Sequence, residues 1–440
     1  MAWDFSTEPE FQAQLDWMHQ FVADEIEPLS LLWPEYHHAP APPWLRDVID
    51  PLKEQVKARD LWACHLGPDL GGSGFGQVKL ALMNEILGRD IWAPTIFGTQ
   101  APDTGNAEII AHYGTEEQKE RYLQPLLEGE VFSCFSMTEP QAGADPKLFR
   151  TRATRDGDEW IIDGEKFFSS NANDAEFFIV MAVTNPDVSP YEGMSMFLVP
   201  AETPGIEILR PTTLWGEDPD HGVIHPHLRY EDVRVPADSL LGDEGQAFVI
   251  AQTRLGGGRV HHSMRAVGVA TRAFEMMCER ALSRHAHGSV IADKQLVQQM
   301  IADSWSQIQQ YRLFVLHTAW TIDHSGGTAR VRREVAAIKN AGARLVHDVV
   351  QRAIQIHGAL GVSNEMPLGG MWLQAAMYGI FDGPTEVHTV TVAREILKGF
   401  RPADGLWPSE WLPEKLAAAR AKHADTLDAQ ARAEGSSPER

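Results

Sequence analysis

Cysteine is scarce in this chain of 440 residues, which contains only Cys64, Cys134 and Cys278. The number is odd, the three residues lie far apart, and no pair has the CxxC spacing. A disulfide framework and a thiolate metal site are therefore not expected, because both need paired or clustered cysteines. We predict three reduced, mostly buried thiols.

Positive charge is also in short supply. The chain has 38 Lys and Arg residues against 61 Asp and Glu residues, which gives a formal net charge of -23. That balance argues against a large nucleic-acid surface, which needs a basic footprint. A small polyanionic ligand stays compatible with the sequence if a few Arg residues gather locally. The 18 His residues include no HExxH motif, so we predict no metal site.

Long apolar runs are missing as well. No stretch approaches the roughly 18 consecutive apolar residues of a membrane span. The first residues lack the basic and apolar regions of a signal peptide. We therefore expect a soluble, cytoplasmic protein. A hydrophobic content of 43% over this length is enough for two or three packed units without disulfide or metal staples.

Hydrophobic periodicity divides the chain into parts and predicts an α+β fold. Residues 1–130 are predicted to form helices, the first of which ends at Pro28. Residues 131–243 carry short β-rich runs with turn signals between them, which predict a small antiparallel barrel or sandwich. Residues 244–400 return to helical spacing and predict a four-helix unit. Residues 401–440 are predicted to form a weak helix and a loose tail.

The segment from Met377 to His388 combines the features of a catalytic turn. It places Asp382 after the apolar pair Ile380-Phe381, breaks the chain with Gly383-Pro384 and restarts it as a helix. A carboxylate in an apolar setting ahead of a helix suits a base that faces a buried ligand. The alternative is an N-cap Asp that only satisfies the helix end. The segment alone does not separate the two interpretations.

Five further motifs contain polar, aromatic or glycine residues that suit a ligand. A Pro/Gly loop after a strand, residues 132–145, exposes backbone N–H groups and a hydroxyl. Residues 166–171 put two aromatic rings beside two hydroxyls, which suits a flat ring system with polar edges. Residues 254–259 supply two guanidinium groups around three glycines. The others are a helix end at 284–288 and an amide beside a glycine C-cap at 355–361.

In this order the motifs resemble those of the FAD-dependent acyl-CoA dehydrogenases over nearly all of residues 1–400. The resemblance rests on Met137-Thr-Glu-Pro-Gln-Ala-Gly-Ala-Asp145, Asp163-Gly-Glu-Lys-Phe-Phe-Ser-Ser-Asn171, Tyr230 to Pro236, Arg284 to Gly288, Gln355 to Gly361 and Asp382-Gly383. Gly256 to His262 and Asp382 to His388 are most similar to the branch that animals carry fused behind a phosphotransferase-like domain. The family implies an N-terminal helical domain, a middle antiparallel β domain and a C-terminal four-helix bundle.

Carried over position by position, the resemblance implies that Asp382 is the catalytic base. It places Gly383 beside the base on the substrate side and Arg259 at the acyl-CoA end of the pocket. The implied flavin contacts are Met137, Thr138, Gly143, Phe168 and Ser170. The residues that reach the cofactor of a neighbouring subunit are Arg284, His287, Gln355 and Gly358, so a homodimer or homotetramer is expected. Glu386 stands near the dinucleotide, where the family usually has Gln.

The implied reaction is α,β-dehydrogenation of an acyl-CoA thioester to the trans-2-enoyl-CoA. Asp382 removes the α-proton while flavin N5 takes the β-hydride, and an electron-transferring flavoprotein reoxidises the flavin. One alternative is a nitroalkane-oxidase-like flavoenzyme, because nitroalkane oxidases share this fold and also use an Asp base. Another is a non-catalytic flavin-binding scaffold like the DNA-alkylation-response branch, which the acidic charge balance disfavours.

Several positions depart from the family pattern. The usual base is Glu, and Asp382 is one methylene shorter, so the substrate or the backbone must come closer. Members that place the base on the earlier helix have it at the position of Gly258, which leaves Asp382 as the candidate. Ala144 lacks a hydroxyl that commonly contacts cofactor or CoA, and Pro384 replaces a Thr. We therefore expect a branch whose substrate differs from simple straight-chain fatty acyl groups.

Overall fold

The computed structural model describes residues 4–37, 41–70, 72–214, 224–325 and 327–435. Helices, a sheet and then more helices follow one another along the chain, which confirms the α+β prediction. Contacts divide the chain into two compact units, residues 1–392 and 393–440. The first unit contains the whole sheet and the turn that carries Asp382.

The α-helices described before the sheet are α1 (Pro9–Phe21), α2 (Glu27–Leu32), α3 (Pro43–Lys57), α4 (Gly76–Leu87), α5 (Ala93–Ile96), α6 (Asp103–Tyr113), α7 (Glu116–Gln118) and α8 (Gln124–Glu128). The prediction that Pro28 ends the first helix is wrong. A π-helical turn, Val22–Ile26, links α1 to α2, and Pro28 lies in the first turn of α2. The chain thus stays helical past Pro28, and the wider π turn lies just before the residue that lacks an N–H.

The strands of the main sheet are β1 (Ser133–Ser136), β2 (Arg152–Asp156), β3 (Glu159–Lys166), β4 (Phe177–Val183), β5 (Met194–Pro200), β6 (Ile206–Arg210) and β7 (His227–Pro236). Their order is β1-β4-β2-β3-β7-β6, with β5 also beside β4. The pairs β2/β3, β3/β7, β4/β5 and β6/β7 are antiparallel, as predicted. β1 instead runs parallel to β4, and β2 also pairs with β4 in parallel, through Arg152 and Val183. The long connection between β1 and β4, which contains the β2/β3 hairpin, makes their pairing possible.

The helices after the sheet are α9 (Ala247–Ser283), α10 (Gln295–Ser325), α11 (Arg332–His357), α12 (Leu368–Tyr378) and α13 (Thr385–Leu397). A small hairpin, β8 (His285–Ala286) with β9 (Ser289–Val290), lies between α9 and α10. The four-helix prediction omitted α12, because Gly369 and Gly370 weaken its helical signal. Burial of Leu368, Met371 and Ala375 forms the helix nevertheless.

Two helices, α14 (Leu412–Lys422) and α15 (Ala424–Ala433), occupy the region predicted as a weak helix and a tail. Residues 436–440 of that predicted tail lie outside the described residues. Of the helices described, none has the length and apolar content needed to cross a bilayer.

Helix α9 takes part in two hydrophobic cores. The largest core joins N-terminal residues such as Phe21 and Leu45 to Val260 of α9 and to the helices that follow. A second core joins α6, β4 and β5 to the start of α9, through Ile250. The glycine-rich stretch of α9 therefore lies between two packed regions, at the place where the three predicted domains meet.

Candidate active site

Asp382 lies in the turn between α12 and α13, where its backbone is left-handed with φ +55°. Asp tolerates this region better than most residues, and Gly383 continues the turn at φ +100°. Thr385 N–H, at the start of α13, donates to Gly379 O, and two later N–H groups of the helix donate to Pro384 O. Among the described residues, no N–H group of α13 bonds to the Asp382 carboxylate. The N-cap interpretation is therefore not supported.

Two basic side chains hold the carbonyl oxygen of Asp382. Arg259 Nε and Nη2 donate to it at 3.2 and 3.1 Å, and His388 Nε2 lies 3.2 Å from it. Burial lowers the pKa of His388 to about 4, so the ring is neutral at pH 7 and can donate from Nε2. Arg259 thus supports the backbone of the candidate base. Its predicted contact with acyl-CoA stays a prediction.

Lys339, on α11, is buried beneath the same turn with 3% exposure. Its Nζ donates to the carbonyl oxygens of Tyr378 and Gly383, near the two ends of the turn. Burial lowers the pKa of Lys339 to about 8, although the negative charge of Asp382 opposes the shift. The same ammonium group lies 5.0 Å from the centroid of the Phe381 ring. The turn is therefore tied to α11 as well as to α9.

The Asp382 carboxylate is 16% exposed and faces α9. A Cβ atom added to Gly258 would lie 3.8 Å from its Oδ2 atom, an ordinary van der Waals distance, so the carboxylate lies against the helix at this glycine. One helical turn further along α9, His262 Nε2 lies 3.6 Å from the same oxygen. The Asp382 carboxylate thus lies against the face of α9 that carries Gly258 and His262.

Glu108 brings a second partly buried carboxyl group to this region, and the sequence interpretation missed it. A Cβ atom added to Gly257 would lie 3.4 Å from Glu108 Oε2. Burial raises the pKa of Glu108 to about 8, although Arg254 opposes the shift. Arg254 Nε donates to Asn106 Oδ1 at 2.9 Å, and its guanidinium lies 4.0 Å from the Phe135 ring centroid. Helix α9 thus presents an Arg and a bare glycine surface to two acidic side chains.

A buried ion pair supports the loop that carries Met137. Lys166 Nζ donates to Met137 O and to Glu139 Oε1, both at 2.9 Å. Glu139 also accepts from the backbone N–H groups of Arg150 and Thr151. Burial alone would raise the pKa of Glu139, but Lys166 and these N–H groups outweigh it and lower the pKa. Burial lowers the pKa of Lys166 to about 8, with Glu139 opposing the shift.

Thr138, Gly143 and Phe168 lie close to this pair. Thr138 O accepts from the Phe167 N–H at 2.9 Å, and a Cβ atom on Gly143 would lie 3.6 Å from Thr138 Cγ2. The Phe168 ring is 48% exposed and stacks on Phe167 with 4.2 Å between ring centroids. A half-exposed ring beside a hydroxyl and a glycine loop offers a flat surface with a polar edge. These residues fit a flavin ring system, which has that shape.

Arg284, Gln355 and Gly358 form a second group at the end of α11. Arg284 Nη1 donates to His357 O at 3.2 Å, and a Cβ atom on Gly358 would lie 3.3 Å from the same nitrogen. Gly358 ends α11 with φ +69°, and its N–H donates to Gln355 O. His287 forms the turn of the β8/β9 hairpin with φ +50°. A guanidinium close to a left-handed glycine backbone suits a phosphate group.

Ser170 and Glu386 have different surroundings. Ser170 Oγ hydrogen-bonds to His225 Nδ1 at 2.7 Å, so the hydroxyl already has one partner. Glu386 lies exposed in the first turn of α13. The structure therefore brings Met137, Thr138, Gly143 and the Phe168 loop together, and Arg284 with Gly358. Each cofactor contact stays a prediction.

Three family models match the chain in succession. They describe the N-terminal, middle and C-terminal domains of acyl-CoA dehydrogenase and match residues 8–130, 134–233 and 245–397. Together they cover the helices before the sheet, most of the sheet and the helices after it.

Relatives of known name cover the same residues. The Mycobacterium tuberculosis protein named Probable acyl-CoA dehydrogenase FadE2 is 42% identical over 89% of this chain and 92% of its own length. Human acyl-CoA dehydrogenase family member 11 is 42% identical over 79% of this chain, which spans only 44% of that longer protein. Mouse family member 10 is 39% identical over 86% of this chain and 36% of its own length. These animal relatives confirm the predicted resemblance to an animal branch.

Solved structures agree with these relatives. A structure from Mycobacterium abscessus, assigned as an acyl-CoA dehydrogenase, has a TM-score of 0.83 at 36% identity and covers 90% of this chain and 100% of its own. Butyryl-CoA dehydrogenase from Megasphaera elsdenii has a TM-score of 0.76 at 26% identity, with the same two coverages. The chain therefore belongs to the acyl-CoA dehydrogenase family of FAD-dependent oxidoreductases.

Proposed function

We propose that this protein converts an acyl-CoA thioester to the trans-2-enoyl-CoA, with Asp382 as the base that removes the α-proton. The observation that carries the proposal is the partly buried Asp382 carboxylate, which lies beside Gly258 on a turn held by α9 and α11. Arg259 and Lys339 hold the backbone of that turn. A carboxylate on a rigid support meets the geometric demand of general-base catalysis.

Proton removal also needs stabilisation of the charge that develops on the thioester oxygen. The α-carbon–hydrogen bond breaks, the proton passes to an Asp382 oxygen, and the electron pair moves towards the thioester carbonyl. The backbone N–H of Asp382 makes no hydrogen bond to another described residue, so it is available to that carbonyl oxygen. Arg254, whose positive charge lies near Asp382, adds favourable potential. FAD, when bound, supplies the acceptor for the β-hydride.

Two groups of residues are the proposed cofactor site. Met137, Thr138, Gly143, Phe168 and Ser170 would hold the flavin end of FAD. A neighbouring subunit would supply Arg284, His287, Gln355 and Gly358, with Glu386 near the dinucleotide. This sharing requires at least a homodimer, and a homotetramer also satisfies it. We propose an electron-transferring flavoprotein as the electron acceptor and the cytoplasm as the location.

Anaerobic bleaching of the bound flavin by a panel of acyl-CoAs tests the base. We expect the wild-type flavin to bleach, and Asp382→Asn to keep its flavin but to bleach at least roughly 100-fold more slowly, because the amide cannot accept the proton. Asp158→Asn, the same change at an exposed turn of the sheet, is the matched control and should bleach normally. Normal bleaching of the flavin in Asp382→Asn would show that Asp382 is not the base.

One observation favours a second candidate, a nitroalkane-oxidase-like enzyme: the candidate base is Asp rather than Glu. Such an enzyme takes a proton from a nitroalkane, needs no CoA pocket and passes electrons to oxygen. Bleaching by nitroalkanes but not by acyl-CoAs would favour it. Bleaching by acyl-CoAs, followed by reoxidation with an electron-transferring flavoprotein, would favour the dehydrogenase.

A further inference from the structure

His262 lies against the candidate base from the side of α9. Its Nε2 atom is 3.6 Å from Asp382 Oδ2, and its side chain is 19% exposed. The ring packs on Phe381, the residue before the base, with 4.7 Å between ring centroids. His262 comes one helical turn after Gly258, so both lie on the face of α9 that Asp382 approaches. The same turn thus supplies the base and the ring that orients the imidazole.

Burial fixes the protonation state of this imidazole. It lowers the pKa of His262 to about 4, against an opposing effect of Asp382 and with support from Arg265, Lys339 and Arg254. A neutral imidazole carries one N–H, and a carboxylate that serves as a base only accepts hydrogen bonds. The tautomer that suits Asp382 therefore carries its proton on Nε2.

We propose that His262 is a positioning residue for the base: its Nε2–H holds one oxygen of Asp382 and leaves the other oxygen to take the α-proton. This inference rests on the proposed function of Asp382. At 3.6 Å the contact is longer than a hydrogen bond. Contacts of this kind often shorten only when substrate binds.

Two substitutions separate positioning from packing. His262→Phe keeps a ring against Phe381 but removes the N–H, whereas His262→Gln keeps a donor at the corresponding distance from the backbone. We expect His262→Phe to lower the limiting rate of flavin reduction by acyl-CoA roughly 10- to 100-fold, with the apparent Kd for acyl-CoA little changed. His262→Gln should recover at least part of that rate. Equal rates for the two variants, or a faster Phe variant, overturn the proposal.

A readout independent of turnover covers the case in which the Phe variant does not fold. In the wild-type flavoprotein labelled with 15N-histidine, NMR should show His262 as the Nε2–H tautomer. Asp382→Asn should shift that signal, because an amide replaces the carboxylate acceptor. An Nδ1–H tautomer would overturn the proposal. So would a His262 signal whose chemical shift does not change in Asp382→Asn. If no acyl-CoA bleaches the wild-type flavin, the proposed function is wrong, whereas the NMR result on the contact between His262 and Asp382 still holds.

Discussion

His65 shows at the scale of one residue how burial controls protonation in this protein. Both ring nitrogens are buried without a hydrogen-bond partner among the described residues, and burial lowers the pKa of His65 to about 4. The unfolded chain binds this proton below pH ~6.5, whereas the folded chain does not until pH 4. The pKa difference therefore has no effect on the free energy of unfolding above pH ~6.5, and it lowers that free energy as the pH falls from there towards 4.

Replacing His65 by Phe should remove this dependence on pH. The difference in unfolding free energy between His65→Phe and wild type should move in favour of the variant by about 2 kcal/mol from pH 7.5 to pH 5. Chemical denaturation at the two pH values measures it. An identical difference at both pH values would show that the folded protein protonates His65 as readily as the unfolded chain does.

Single residues differ in how far the sequence predicts their role. Asp382 stands out because Gly383 and Pro384 break the chain beside it. Lys339 also leaves a signal, since it falls on the apolar face of α11 and a charge there needs a buried partner. His262 leaves none, because its contact with Asp382 joins residues far apart in the chain. A local sequence signal can therefore single out a residue as a candidate, whereas a contact that long-range packing creates leaves no such signal.

At the scale of elements, the Lys166–Glu139 pair ties the end of β3 to the loop after β1. Lys166→Met leaves the Glu139 carboxylate buried without its cation, a change that costs about 3–5 kcal/mol. We therefore expect a lower thermal midpoint and weaker flavin retention, since Met137 O loses its donor as well. Scanning calorimetry and the bound flavin fraction after gel filtration measure the two effects.

A second substitution tests the cause of that loss. In the double variant Lys166→Met with Glu139→Gln, no unpaired charge is left in the core, so part of the stability should return. The N–H groups of Arg150 and Thr151 still find an acceptor in the amide oxygen. A double variant less stable than Lys166→Met alone would contradict the ion-pair explanation.

Elements with strong periodicity or clear turn signals were predictable. Strands β3 to β6 fall within residues 131–243, where the β-rich runs and the turn signals between them predicted strands. The continuation of the first helix through Pro28 was not predictable, since core contacts of Val22 and Ile26 override the local preference. Helix α12 was missed for the same reason, because burial of its apolar face compensates for Gly369 and Gly370.

At the scale of the whole molecule, the order of the three predicted domains agrees with the order of the matching family models. The helices before and after the sheet, however, share one large core. Periodicity along a sequence shows which face of a helix is apolar, but not which distant helix covers it. The glycine-rich part of α9, near Glu108 and Asp382, acquires its environment only from that long-range packing.

Sharing of cofactor sites between subunits makes a prediction about mixed oligomers. Asp382→Asn should be inactive, and Arg284→Ala should retain flavin poorly, because it loses the guanidinium next to Gly358. If Arg284 serves the neighbouring subunit, a heterodimer of the two variants contains one site with an intact base and an intact Arg. Co-expression with two affinity tags should then restore bleaching in about half of the sites of that heterodimer. If Arg284 serves its own subunit, every site carries one defect, and the purified heterodimer will not bleach.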